Sequence, residues 1–198
     1  MTPRALRRAS WAFLFFLPLN VVLSWFVDQP PIREVPVLPN LVGWIVLGTA
    51  IQMLPKSKAG RLRFLQIIGL MLSLPVFIGS FPHLEGFSIA LLFLWTLAMF
   101  LEGAAGVLVI WHISTMTMRE LEKMNQSYTV EPLEVLRFLY PVWLLLLWMS
   151  WPIRFNSRFY VVIVVGALIF QSIILVLIIV AMCEAAIRMK HESESNST

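Results

Sequence analysis

"FYVVIVVGALIFQSIILVLIIVAM", residues 159–182, carries no charged side chain over its whole length. A helix needs about 20 predominantly apolar residues to cross the hydrocarbon core of a bilayer, and this stretch is long enough to do so. It shows no strict alternation of apolar and polar residues, so it does not read as a strand of a membrane barrel. A lone strand would leave its backbone groups unpaired in lipid, so the stretch is read as a helix.

Working outward, five more apolar stretches lie upstream: Trp11–Val27, Val37–Leu54, Phe64–Phe81, Phe87–Trp111 and Leu136–Trp151. The first, third and fifth are short. The uncharged core of the fifth is Phe138–Trp151 and contains Pro141, so its start is placed near Pro132, with Arg137 reaching out to the headgroups. The fold class that follows is all-α: an integral membrane helical bundle of about six transmembrane helices, one domain over residues 1–198, with residues 189–198 a polar, disordered cytoplasmic tail.

Composition agrees. Hydrophobic residues make up 59% of the chain and charged residues 13%, against about 25% charged in a soluble domain. The net charge of +4 is dispersed in small groups between oily runs, with no nucleic-acid-reading motif, so no nucleic acid is expected as a partner. A single cysteine, Cys183, excludes an internal disulfide and CxxC redox chemistry. The opening "MTPRALRRASWAFLFFLPLNVVLSWF" is basic and then apolar, as a signal peptide is. "SWFVDQPP" follows instead of a small-x-small cleavage site, so the segment is read as an uncleaved first span.

Orientation follows from lysine and arginine in the short loops. With the N-terminus inside, the inner segments hold Arg4, Arg7, Arg8, Lys56, Lys58, Arg61, Arg63, Arg119, Lys123, Arg137, Arg188 and Lys190, and the outer loops hold only Arg33, Arg154 and Arg158. The expected location is the plasma membrane, multi-pass, with both termini cytoplasmic. Trp25, Phe26, Trp44, Phe81, Phe87, Trp151 and Tyr160 then fall at the outer boundary, and Trp11 and Trp111 at the inner one. The outer loop 27–40 contains Pro30, Pro31, Pro36 and Pro39 and is expected to be extended. Within the inner segment 112–137 the fourth helix is expected to continue past the membrane, with Glu120 and Lys123 paired. Pro132 is expected in the first turn of a new helix, with Glu134 near its positive end. The sequons "NQS" and "NST" lie inside in this frame and are discounted.

"LPNLVGW" (38–44) and "FPHLEGF" (81–87) share Pro, Leu, Gly and an aromatic in the same order. Either a helical hairpin is duplicated, as in repeat-built transporters, or prolines that start helices and aromatics that mark the interface produce the echo unaided. The stretch "LPNLVGWIVLGTAIQML", followed by a short basic loop and another span, resembles a group of small uncharacterised bacterial polytopic membrane proteins. Their second helix opens with a similar Pro-x-x-x-Gly-aromatic pattern. The resemblance covers Val35 to Leu74 and implies a membrane location without any activity.

"MFLEGAAG", residues 99–106, sets the functional question. Glu102 lies roughly 14 Å from Trp111 along a helix, near the middle of the bilayer, where an acidic residue costs about 2.5–3.5 kcal/mol on the insertion scale. A protonated, uncharged side chain is expected there. No lysine or arginine lies deep in a span to pair with it, so the expected partners are Asn20 in the first span and Gln171 in the sixth. Gly103, Ala104, Ala105 and Gly106 form a thin waist suited to close helix packing. Glu102 is thus either a packing carboxyl bonded across a tight helix contact or a proton- or cation-binding group in a transport path.

Other residues offer less. Glu184 and Arg188 are spaced for an i,i+4 pair. His83, His112 and His191 lie at different levels, so no metal or haem site is expected. No cofactor is expected, and no catalytic motif is present. Cys183 reads as a small buried hydrophobe. The residues favour a non-enzymatic scaffold, regulator or partner subunit, with the lipid bilayer and either a second copy or another membrane protein as partners. The alternative is a small transporter or channel with a proton- or cation-linked Glu102. An intramembrane enzyme comes third, with no motif behind it.

Overall fold

The computed structural model describes residues 2–16, 40–79, 89–124, 127–150 and 157–195, and these form helices and short turns. The first helix, α1 (Pro3–Leu14), is started by the Thr2 hydroxyl, which accepts from the Ala5 amide at 3.3 Å, with Pro3 in its first turn. Ala5, Leu6, Ala9, Ala12 and Phe13 face inward, while Arg7, Arg8 and Trp11 are exposed. The basic start and Trp11 therefore belong to one helix. The start is wound into it because its apolar residues recur at helical spacing.

Helix α2 (Asn40–Gln52) buries Gly43, Trp44, Leu47, Ala50 and Ile51, a stripe of one face. Gly43 permits the contact with α1: a Cβ there would lie 2.9 Å from the Phe15 Cβ and 3.1 Å from the Ala12 carbonyl oxygen. A tight turn at residues 53–55 leads into α3 (Lys56–Gly79), whose Lys58 and Ala59 amides donate to the Pro55 carbonyl. The side-chain Nε2 of Gln66 donates to the Trp44 carbonyl at 3.3 Å and ties α3 back to α2.

Helix α4 (Ile89–Lys123) has 35 residues and is roughly 52 Å long, more than a hydrocarbon core requires. As expected, it continues well past Trp111, and Glu120 meets Lys123 at 3.5 Å. Lys58 at the head of α3 also reaches Glu120, at 2.7 Å, and joins the two ends.

The expected fifth span is two helices, α5 (Ser127–Leu139) and α6 (Val142–Ser150). The Tyr140 amide closes α5 on the Leu136 carbonyl at 2.9 Å, and the Leu144 amide opens α6 on the Pro141 carbonyl at 3.1 Å. Pro141 has no N–H to continue the ladder, so the helix breaks there. Pro132 lies inside α5 rather than in its first turn, because the helix already begins at Ser127.

Helix α7 (Ser157–Ser195) has 39 residues and is continuous through most of the tail expected to be disordered. Ion pairs one turn apart accompany it: Glu184–Arg188 at 2.5 Å, as expected, and Lys190–Glu194 at 3.6 Å.

α1 packs on α2 and α7, α2 on α3, α3 on α4, α4 on α5, and both α5 and α6 on α7, so the helices close into a ring. Phe13, Trp44, Leu47, Ile110, Ile113, Leu133, Leu175 and Ile178 fill its interior. Outward, large apolar side chains recur every three to four residues: Phe64, Ile67, Met71 and Leu74 on α3, and Ile169, Ile173, Val176, Leu177 and Val180 on α7. Faces of that size have no place against water. Three helical stretches, Lys56–Val76, Leu97–Lys123 and Val165–Glu192, are long and apolar enough to cross a membrane, and α2 is apolar but shorter. Residues 27–39 of the outer loop, the second half of the echo at 81–87, the tripeptide 196–198 and most of "PIRFNSRF" lie outside the described residues.

Candidate functional site: a buried carboxyl closed by an indole

Trp44 and Glu102 come from helices α2 and α4, far apart in sequence, and meet inside the bundle. The Trp44 indole N–H donates to Glu102 Oε1 at 3.0 Å. Both are buried, Glu102 at 4% exposure and Trp44 at 0%. Asn40 is a further hydrogen-bond partner of the same carboxyl. Asn40 and Trp44 are one helical turn apart, so α2 presents both polar tips from one face.

The indole is held from its other sides. Its six-membered ring lies against Gly69 of α3, where any Cβ would overlap the ring atoms. Phe16, just beyond α1, meets it edge-on at 5.0 Å between ring centroids. Three other parts of the chain thus converge on one side chain, and the carboxyl accepts a bond that the indole could not make to lipid or to an apolar neighbour. A buried donor or acceptor left without a partner costs about 1–3 kcal/mol.

Sequence reasoning places Trp44 at the outer boundary and Glu102 roughly 14 Å from the inner one. With a core about 30 Å thick, those depths are incompatible with a 3.0 Å hydrogen bond. Trp44 is not an interface anchor; it is turned inward, because Gly69 leaves a flat space for the ring. The signal available in the sequence was the i,i+4 spacing of Asn40 and Trp44 on an otherwise apolar helix.

Of the expected partners of Glu102, Asn20 lies outside the described residues. Gln171 is buried, at 6% exposure, but its hydrogen-bond partner is the Tyr140 hydroxyl at the break between α5 and α6. Glu102 and Gln171 therefore belong to two separate polar contacts.

The small-residue waist is also uneven. Gly103 is a contact: a Cβ there would lie 3.0 Å from Leu144 Cδ1 and 3.1 Å from Trp143 Cη2, both on α6. Ala105 is in the core and Ala104 is half-buried. At Gly106 a Cβ would meet nothing within 4 Å, so it is not a point of close helix approach. Gly103→Leu is accordingly expected to destabilise the chain by an overpacking cost of about 1–3 kcal/mol. Gly106→Ala is expected to be neutral, or to stabilise by up to about 1 kcal/mol through the helix preference of alanine. Thermal unfolding followed by circular dichroism checks the pair, and equal losses would contradict the geometry.

Arg137, expected at the headgroup level, has protein partners on α4 and α5. Its guanidinium lies 4.8 Å from the Trp111 ring centroid and 5.0 Å from that of Phe138. It donates to Thr115 Oγ1 at 3.0 Å and pairs with Glu134 at 3.4 Å. The planar group stacks where an ammonium could not, and it clasps α4 to α5. Among the described residues no group of three or more His, Cys, Asp or Glu side chains is arranged to hold a metal ion.

Among the described residues, these features define a helical protein with three helices of membrane-crossing length and a carboxyl buried inside the bundle. No family model matches it, and no curated protein or solved structure is detectably similar to it.

Proposed function

We propose that this chain is a non-enzymatic, multi-pass component of the plasma membrane, a scaffold, regulator or partner subunit, with six crossings and both termini cytoplasmic. One observation carries the reading: Glu102, the one acidic residue in the apolar part of α4, is 4% exposed and accepts from an indole that is itself fully buried. A carboxyl in a transport path must meet water or an ion. This one meets Trp44 and Asn40, which suits a group that fixes helix positions. The outward apolar stripes on α3 and α7 support a lipid surround, and the one-sided distribution of lysine and arginine supports the orientation. The bilayer and a second copy or another membrane protein are the partners on this reading.

The test compares wild type with Glu102→Gln in sealed vesicles carrying a pH-sensitive dye and, separately, a potassium gradient. Glutamine keeps a carbonyl oxygen for the Trp44 N–H. The expected result is the same background leak for both proteins and a stability difference below about 1 kcal/mol. Proton or cation flux in the wild type that Glu102→Gln abolishes would establish the transporter reading instead.

A further inference from the structure

Cations gather where α3 begins and α4 ends. Arg61 and Arg119 are both exposed, and both lie within electrostatic range of the His112 imidazole. Lys58 and Lys123 flank them, and Glu120 is already engaged by both lysines, at 2.7 Å and 3.5 Å. Among the described residues neither Arg61 nor Arg119 forms a salt bridge. Glu120 is taken up by the lysines and the exposed Glu122 forms no ion pair with Arg119, so the two arginines leave positive charge at the surface that suits an anion from outside the chain.

The neighbourhood says which kind. On α3, Arg61 shares a face with Phe64, three residues on, which is 65% exposed. On α4, Leu108, His112 and Arg119 share a face by helical spacing, and Leu108 is 53% exposed. Each helix therefore passes from outward apolar side chains to outward cationic ones within a few turns. α3 and α4 pack against each other, so the two changes of polarity stand side by side. A soluble anion would use the charges alone. A phospholipid uses both halves, its acyl chains on Phe64 and Leu108 and its phosphodiester on the cations.

We propose that Arg61 and Arg119, with His112, bind the headgroup phosphate of an anionic phospholipid in the groove between α3 and α4. The site rests on the membrane reading given above and adds a lipid class to it. Basic pockets between helices at a membrane surface hold anionic headgroups, and each basic residue near the surface contributes about 1 kcal/mol.

The experiment reconstitutes the full chain into vesicles of phosphatidylcholine alone or of equal parts phosphatidylcholine and phosphatidylglycerol. After gentle detergent release, the retained lipids are counted by native mass spectrometry. Wild type is expected to retain phosphatidylglycerol preferentially. Arg61→Gln/Arg119→Gln is expected to lose roughly thirtyfold of that preference, the effect of two basic contacts, and each single change roughly fivefold. Arg7→Gln/Arg8→Gln removes equal charge from the exposed face of α1 and is expected to leave the preference unchanged. An equal loss in that control, or displacement of the lipid by inorganic phosphate alone, would overturn the site. Insertion into both vesicles without a lipid preference would overturn this proposal alone, whereas failure to insert into either would overturn the membrane reading with it.

Discussion

Trp44→Ala is expected to destabilise the bundle by about 3–5 kcal/mol, the range for truncating a large buried aromatic. The loss has two physical parts. The indole is fully buried and packed by Phe16 and Gly69, so its removal leaves a cavity among α1, α2 and α3. It also takes away the N–H that Glu102 accepts. Trp44→Phe weights the parts differently, because it keeps a buried aromatic ring, leaves a smaller cavity than alanine and removes the donor. Its expected cost is about 1–3 kcal/mol, that of a buried polar group left short of a partner. Adding Glu102→Leu to Trp44→Phe should recover part of that loss, since replacing both partners by apolar groups removes the unpaired acceptor. Reversible unfolding in detergent micelles measures all four proteins. A Trp44→Phe variant as stable as wild type would mean that the bond contributes nothing.

Gly69→Val is the second large effect. A Cβ at Gly69 would overlap the Cε2, Cζ2 and Cη2 atoms of Trp44. These belong to a rigid ring, so the indole as a whole must move, and Glu102 on α4 loses the indole donor when it does. Overpacking costs about 1–3 kcal/mol, and the displaced hydrogen bond adds about 1 kcal/mol or more. The informative measurement is the double-mutant cycle. Gly69→Val in the Trp44→Ala background should cost far less than it does alone, since the cavity accepts the new methyl groups. Contacting residues show coupling of about 0.5–3 kcal/mol. Additive losses would show that Gly69 and Trp44 do not meet.

The two variants probe a contact that the linear chain conceals. Trp44 and Glu102 are 58 positions apart, and each has a sufficient local reading: one as an interface aromatic, the other as a lone acid seeking polar company. Only the rotation of α2 about its axis turns the indole toward α4. That rotation depends on Gly43 admitting α1 and on Gly69 admitting the ring. The same limit explains the waist. Gly103 and Gly106 look alike in a small-residue run, yet one faces Trp143 and Leu144 and the other faces free space. Nor does the linear chain show that Arg137 of α5 lies across Trp111 of α4.

What the sequence determines unaided is whatever neighbours along the chain decide. Uncharged runs imply helices, and three of the described helices are long and apolar enough to cross a membrane. The spacings Glu120–Lys123 and Glu184–Arg188 imply ion pairs that are present at 3.5 Å and 2.5 Å. Tertiary structure alone decides which side chain closes on Glu102, that Gln171 bonds Tyr140 instead, and which of the small residues after Glu102 meets a neighbouring helix. Hydropathy and helical period are properties of a segment and survive any rearrangement of its surroundings. The meeting of two polar tips across a bundle needs helix rotation and register correct to within a side chain, and these emerge only when all the helices pack together.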